Sequence, residues 1–100
     1  MKLADSLPKT LSGKNIGGQI IRSGTSIATN YREAQRARSK SEFISKVNIS
    51  LSEAEETKFW LELIIDYGLV PKTKREKLFN ESDELIAILC AILNSAKRMK

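Results

Sequence analysis

The sequence contains no histidine and only one cysteine, and these absences exclude several kinds of catalytic and metal site. Without histidine the chain cannot form Ser-His-Asp or Cys-His catalytic machinery, or the usual zinc sites that depend on histidine. Cys90 has no second cysteine for an internal disulfide bond, and its apolar helical surroundings favour a small core residue over a reactive thiol. We therefore expect a protein that is not an enzyme and that holds no metal or cofactor.

Prolines and long apolar runs are also scarce. Only Pro8 and Pro71 interrupt a chain rich in Ala, Leu, Glu, Lys and Arg, which are good helix formers. No run approaches the ~18 apolar residues of a membrane span, and the first ten residues lack the apolar segment of a signal peptide. The sequence predicts one helical domain over residues 1–100, located in the cytoplasm and not in a membrane.

Apolar residues recur at helical spacing, and the residues between the stripes mark helix ends. The first stripe contains Ile16, Ile20, Ile27, Tyr31 and Ala34, with Ile21 and Ala28 widening it and Arg22 on the opposite, solvated face. Ser39-Lys-Ser-Glu42 and Thr73-Lys-Arg-Glu76 match capping boxes, and Gly68 followed by Pro71 is a stop signal. The predicted connections between helices are so short that consecutive helices must pack antiparallel to each other.

These signals predict an all-α fold, an up-and-down antiparallel helical bundle of the four-helix bundle type with a shortened first helix. The helices are expected at about residues 2–7 (a stub), 14–37, 40–67 and 74–98. The third of them carries a second apolar face, opposite its core stripe, that one bundle does not need. Either the N-terminal residues or a loop cover this face, or it forms an oligomer interface, which consists of Ile49, Glu53, Glu56, Trp60, Leu63 and Tyr67.

Charge is unevenly distributed along the chain. Residues 1–40 contain eight Lys or Arg against two acids, residues 41–70 two against six, and residues 71–100 seven against four. In an up-and-down bundle the turn near Ser39 and the end of the last helix lie at the same pole. That geometry predicts a nucleic-acid-binding site at Arg36, Arg38, Lys40, Lys97, Arg98 and Lys100. The alternative is that these cations only offset helix dipoles and keep the surface soluble.

Two segments carry a resemblance to a known family. QIIRSGTSIATNYREA (residues 19–34) and ARSKSEFISKVNISLSEAEETKFWL (residues 37–61), together with Leu7-Pro8-Lys9 and Tyr67-Gly68, closely resemble the 23S ribosomal RNA intervening-sequence protein family. The resemblance covers about the first 70 residues, whereas the last helix matches only in pattern. The family's first helix is longer before the Leu-Pro, so this chain has either three full helices and a stub or a start at an internal methionine.

The resemblance implies a bacterial homo-oligomeric four-helix bundle, pentameric in members of this kind and without enzymatic activity. Some members are encoded inside insertions in ribosomal RNA genes. A similar protein, the accessory protein of diversity-generating retroelements, binds nucleic acid and a reverse transcriptase through a basic surface. Two functions are therefore expected as alternatives, a homo-oligomer that binds RNA or DNA and a protein-interaction scaffold or accessory subunit that does not bind nucleic acid directly.

Overall fold

The chain folds into helices. The computed structural model describes residues 11–68 and 70–98, and within these ranges there are three α-helices and no strand. The helices are α1 (Leu11–Gln35), α2 (Lys40–Asp66) and α3 (Arg75–Arg98), and a short 3₁₀ helix (Lys72–Lys74) precedes α3. The prediction of an all-helical protein is confirmed.

The order of the helices is up, down and up. Helix α1 packs against α2, and α2 packs against α3, in a rod with dimensions of 49 × 22 × 16 Å. Three α-helices are present in the described ranges, so the four-helix architecture is not confirmed. The predicted stub at about 2–7 and the Leu7-Pro8-Lys9 segment lie outside the described residues.

A tight turn connects α1 to α2, and Ser39 caps the N-terminus of α2. The Ser39 backbone is extended (φ −147°, ψ 160°), and its Oγ accepts a hydrogen bond of 3.1 Å from the Glu42 N–H, as the capping box predicts. The Glu42 carboxylate also reaches back, but it accepts from the N–H of Arg38 (3.3 Å) and not from that of Ser39. These two side-chain hydrogen bonds fix the turn together with backbone bonds from the N–H of Arg36 to the Glu33 carbonyl (3.1 Å) and from the N–H of Ala37 to the Ala34 carbonyl (3.0 Å).

The connection from α2 to α3 depends on Gly68 and Pro71. Gly68 has a φ of +72°, the left-handed conformation that ends helices, and Val70 then enters the core. Pro71 precedes the 3₁₀ helix, and α3 begins only at Arg75. The predicted capping box at Thr73 is wrong, because Thr73 lies inside the 3₁₀ helix, which has no side-chain cap.

The core divides into two apolar clusters, one near each end of the rod. The cluster toward the α2–α3 connection contains Ile20, Leu61, Ile64, Ile65 and Val70, and the other contains Ala34, Val47 and Leu93. Between them, hydroxyl groups join α1 to α2. The Ser23 and Thr57 oxygens are 2.7 Å apart, and Ser50 Oγ donates to the Ile27 carbonyl at 2.9 Å. Both serines are fully buried, which shows that these two helices approach closely at small side chains.

The buried stripe on α1 is narrower than predicted. Ile20 is fully buried, whereas Ile21 is 43% exposed and Ala28 is also exposed. The expectation that Ile21 and Ala28 widen the covered stripe is therefore wrong within the described structure. The reason is that α2 covers only one side of α1.

Candidate nucleic-acid interface

The structure brings most of the predicted basic residues to one end of the rod. Arg36 and Arg38 lie in the α1–α2 turn, Lys40 begins α2, and Lys97 and Arg98 end α3, all with exposed side chains. Lys40 Nζ donates to the backbone carbonyl of Lys97 at 3.5 Å, which joins the two groups of cations directly. These five residues are called the basic pole below. Lys100 lies outside the described residues.

Few acids compensate the charge of the basic pole. The segments 36–42 and 97–98 contain five cations and one acid, Glu42, whose carboxylate already accepts from the Arg38 backbone. The nearby Glu33 pairs with Lys46 at 2.8 Å, and this hydrogen bond raises the pKa of Lys46. The C-termini of α1 and α3 attract cations to this pole, but each terminus carries only about half an elementary charge. The basic pole therefore presents an excess of positive charge to solvent.

The opposite pole is mixed in charge. Lys72, Lys74, Arg75 and Lys77 are exposed there, but acids accompany them. A cavity of about 410 Å³ between α2 and α3 is lined by Lys58, Glu62, Asp66, Arg75, Phe79 and Asp83. Lys58 Nζ contacts Asp83 Oδ1 at 2.6 Å, which raises the lysine pKa, and the Arg75 guanidinium lies 5.2 Å from the Phe79 ring centre. Two of the cations at this end, Lys58 and Arg75, therefore have an acidic or an aromatic partner, which makes them less available to a polyanion.

The two acids of the predicted oligomer interface have a partner in the same chain. Arg22 of α1 pairs with both Glu53 (3.4 Å) and Glu56 of α2. The hydrogen bond from Arg22 lowers the pKa of Glu56, a second one from Trp60 Nε1 (3.3 Å) lowers it further, and the Arg22 pKa is raised in return. Arg22 is half exposed but bridges two helices, which corrects its assignment to the solvated face alone.

Trp60 is partly buried and packs against the cluster that contains Ile20 and Leu61. The rest of the predicted interface is more accessible, since Ile49 is 40% and Tyr67 is 73% exposed, while Leu63 is partly buried. Phe59, which was not predicted to belong to this face, is 52% exposed and stands edge-on to Trp60, with ring centres 5.3 Å apart. The spacing of Phe59, Leu63 and Tyr67 in steps of four could have identified it.

An apolar groove lies next to the basic pole. It has a volume of about 350 Å³, runs between the start of α2 and the end of α3, and is lined by Phe43, Ala91, Ile92, Ser95 and Ala96. Phe43 also packs against the core cluster of Ala34, Val47 and Leu93, so its ring is held in place on one side.

The described residues offer no sign of a metal centre or a membrane span. They contain no group of three or more acidic or cysteine side chains that could hold a metal ion. No helix among α1, α2 and α3 has both the length and the apolar character needed to cross a bilayer.

The fold and this site define an all-helical bundle protein with one basic end. Comparison with known proteins identifies the family of this bundle. The sequence profile of the 23S rRNA-intervening sequence protein family matches residues 1–91, and the chain belongs to that family. No curated protein matches it significantly.

A solved structure also resembles the chain over most of its length. It is a protein of unknown function from the S23 ribosomal protein family of Bacteroides thetaiotaomicron VPI-5482, whose crystal structure was determined at 1.70 Å resolution. The two sequences are 40% identical, the match covers 92% of this chain and 85% of the other, and the TM-score is 0.84.

Proposed function

We propose that the protein is a non-enzymatic homo-oligomeric helical bundle that binds the phosphate backbone of RNA or DNA through its basic pole. The observation that carries the proposal is the convergence of Arg36, Arg38, Lys40, Lys97 and Arg98 at one end, with Glu42 as the one acid among them. The electrostatic attraction of a phosphate backbone is strongest where cations are concentrated on one surface.

The test is a pair of variants that carry the same net charge. Arg36→Gln, Arg38→Gln and Arg98→Gln together remove three charges from the basic pole, and Lys72→Gln, Lys74→Gln and Lys77→Gln together remove three from the opposite pole. Both lower the formal net charge from +5 to +2. Binding to a labelled RNA and a labelled DNA is measured by fluorescence anisotropy between low and physiological salt.

The wild type should bind with an affinity that falls steeply as salt rises. If each of the three arginines contacts one phosphate, the basic-pole variant should reduce the slope of log K against log salt by about 2 to 3. The matched control should keep most of the slope. Equal losses in the two variants would show that only net charge matters, and no binding by the wild type at low salt would refute the proposal.

The second candidate function is a protein-interaction scaffold, and the outer face of α2 favours it. Ile49 and Phe59 are large, apolar and exposed on this helix, and Tyr67, the residue that follows its end, is exposed as well. Aromatic side chains in such positions anchor protein interfaces. The same face also serves the first proposal when a second copy of the chain occupies it. A ring of subunits joined in this way would repeat the basic pole around its rim.

Trp60 is unsuitable for testing this face, because its ring also supports the core. Phe59→Glu and Tyr67→Glu avoid that problem, since both side chains are mostly exposed. Multi-angle light scattering should show an oligomer for the wild type and smaller particles for the double variant, with unchanged helical circular dichroism. A wild-type monomer at micromolar concentrations would contradict self-association. The exposed face of α2 would then be available for binding a different protein.

A further inference from the structure

We propose that the apolar groove beside the basic pole receives an unpaired base, so that the protein binds single-stranded nucleic acid in preference to a duplex. The inference rests on the proposed function, since it concerns the same end of the rod. It adds a second element, the groove lined by Phe43, Ala91, Ile92, Ser95 and Ala96. A duplex keeps its bases stacked inside, whereas a single strand can place a base on an aromatic ring.

The positions of the residues along the helices bring the groove and the cations together. Phe43 follows Lys40 by three residues on α2, and Arg98 follows Ser95 by three residues on α3. Three residues correspond to about 4.5 Å along a helix axis. The hydrogen bond from Lys40 Nζ to the Lys97 carbonyl holds the two helix ends together at this point. A phosphate at the cations therefore leaves its own base within reach of the groove.

The lining suits a base. Phe43 supplies an aromatic face, Ala91 and Ala96 leave room above the helix, and the Ser95 hydroxyl can donate to or accept from a base edge. A volume of about 350 Å³ falls at the lower end of ligand clefts, which range from roughly 300 to 1,000 Å³. No acidic side chain lines the groove, so nothing there repels the adjoining phosphates.

The experiment compares a labelled single-stranded 20-nucleotide DNA of mixed sequence with the duplex of the same sequence, both by anisotropy at one low salt concentration. Two variants test the groove. Phe43→Leu keeps an apolar side chain against the core but removes the aromatic face, and Ala91→Leu fills the groove from an exposed helical position. The basic-pole variant defined above serves as the reference for phosphate contacts.

The wild type should bind the single strand more tightly than the duplex. Each groove variant should weaken single-strand binding roughly fivefold to a hundredfold and leave duplex binding within about twofold. The basic-pole variant should weaken both. Equal wild-type affinity for the two polymers, or unchanged single-strand binding in both groove variants, would overturn the base-binding groove while leaving the proposed function intact.

Two further outcomes also refute the groove. Absence of binding to either polymer would refute the proposed function and the groove together. If the groove variants instead change the particle mass in light scattering, without altering the preference between the polymers, the groove contacts a protein chain and not a base.

Discussion

Adjacent isoleucines on α1 allow a direct test of how the helices pack. Ile20 is fully buried in the cluster with Leu61, Ile64 and Ile65, whereas Ile21 is 43% exposed. We predict that Ile20→Ala destabilises the protein strongly and that Ile21→Ala does not. Both changes gain the same small amount of helix propensity, so the difference between them measures burial.

The magnitude follows from the burial of Ile20. Replacing a fully buried isoleucine with alanine costs about 2 to 5 kcal/mol, because the lost contacts leave a cavity. A domain of this size has a total stability of roughly 5 to 15 kcal/mol, and each kcal/mol changes its Tm by about 4 to 8 °C. Ile20→Ala should therefore lower the Tm by roughly 10 to 40 °C, whereas Ile21→Ala should cost about 1 kcal/mol or less.

Circular dichroism at 222 nm during thermal and urea unfolding measures both variants, at a fixed protein concentration to exclude effects of assembly. Ile20→Val should lower the free energy of unfolding by an intermediate amount, about 0.5 to 1.5 kcal/mol. This variant can be measured even if the alanine variant does not fold. Equal destabilisation by Ile20→Ala and Ile21→Ala would refute the packing described for α1, since it would mean that both side chains are covered to the same degree.

Three other changes test local features. Ser39→Ala should cost about 1 kcal/mol in urea unfolding, because the Glu42 N–H loses its capping acceptor. Gly68→Ala should lower the free energy of unfolding by about 1 kcal/mol, because alanine is strained at a φ of +72°. Gly18→Ala inside α1 should raise it by roughly 0.5 to 1 kcal/mol, because the added methyl group meets no neighbouring atom. Similar effects of the two changes would contradict the assigned backbone conformations. The pKa of Glu56 is lowered from 4.5 by Arg22, so the stabilisation it provides is present above that pH and is lost as pH falls below it. Wild-type Tm should thus decline more steeply than that of Glu56→Gln as the pH is lowered below 4.5, and parallel declines would count against the ion pair.

Local signals made the helix ends predictable from the sequence. The Ser39 cap and the Gly68 stop each depend on a few adjacent residues, and both are present in the structure. The meeting of the basic segments at one pole followed from the alternating direction of the helices. The Thr73 box matched the same rule as Ser39 but was wrong, because Thr73 lies inside the 3₁₀ helix that follows Pro71 and precedes α3.

Long side chains explain the contacts that the sequence did not predict. A helical periodicity of 3.6 residues gives the direction of each Cβ, but not where a guanidinium or an indole ring ends. Arg22 was assigned to the solvated face, yet its side chain reaches Glu53 and Glu56 on α2. Trp60 was assigned to an outer face, yet its ring packs against the core. The groove at Phe43 needed the relative positions of α2 and α3, which no single helix specifies.

The order in which the helices pack has a consequence for how the chain folds. Each principal interface joins helices that are neighbours in sequence, α1 with α2 and α2 with α3. Proteins dominated by such local contacts have low contact order and fold in microseconds to milliseconds. Only the residues between Gln35 and Lys40 must form a loop for α1 and α2 to meet, and the entropy lost in closing so short a loop is small. The helical hairpin of α1 and α2 is therefore the expected folding nucleus, onto which α3 adds.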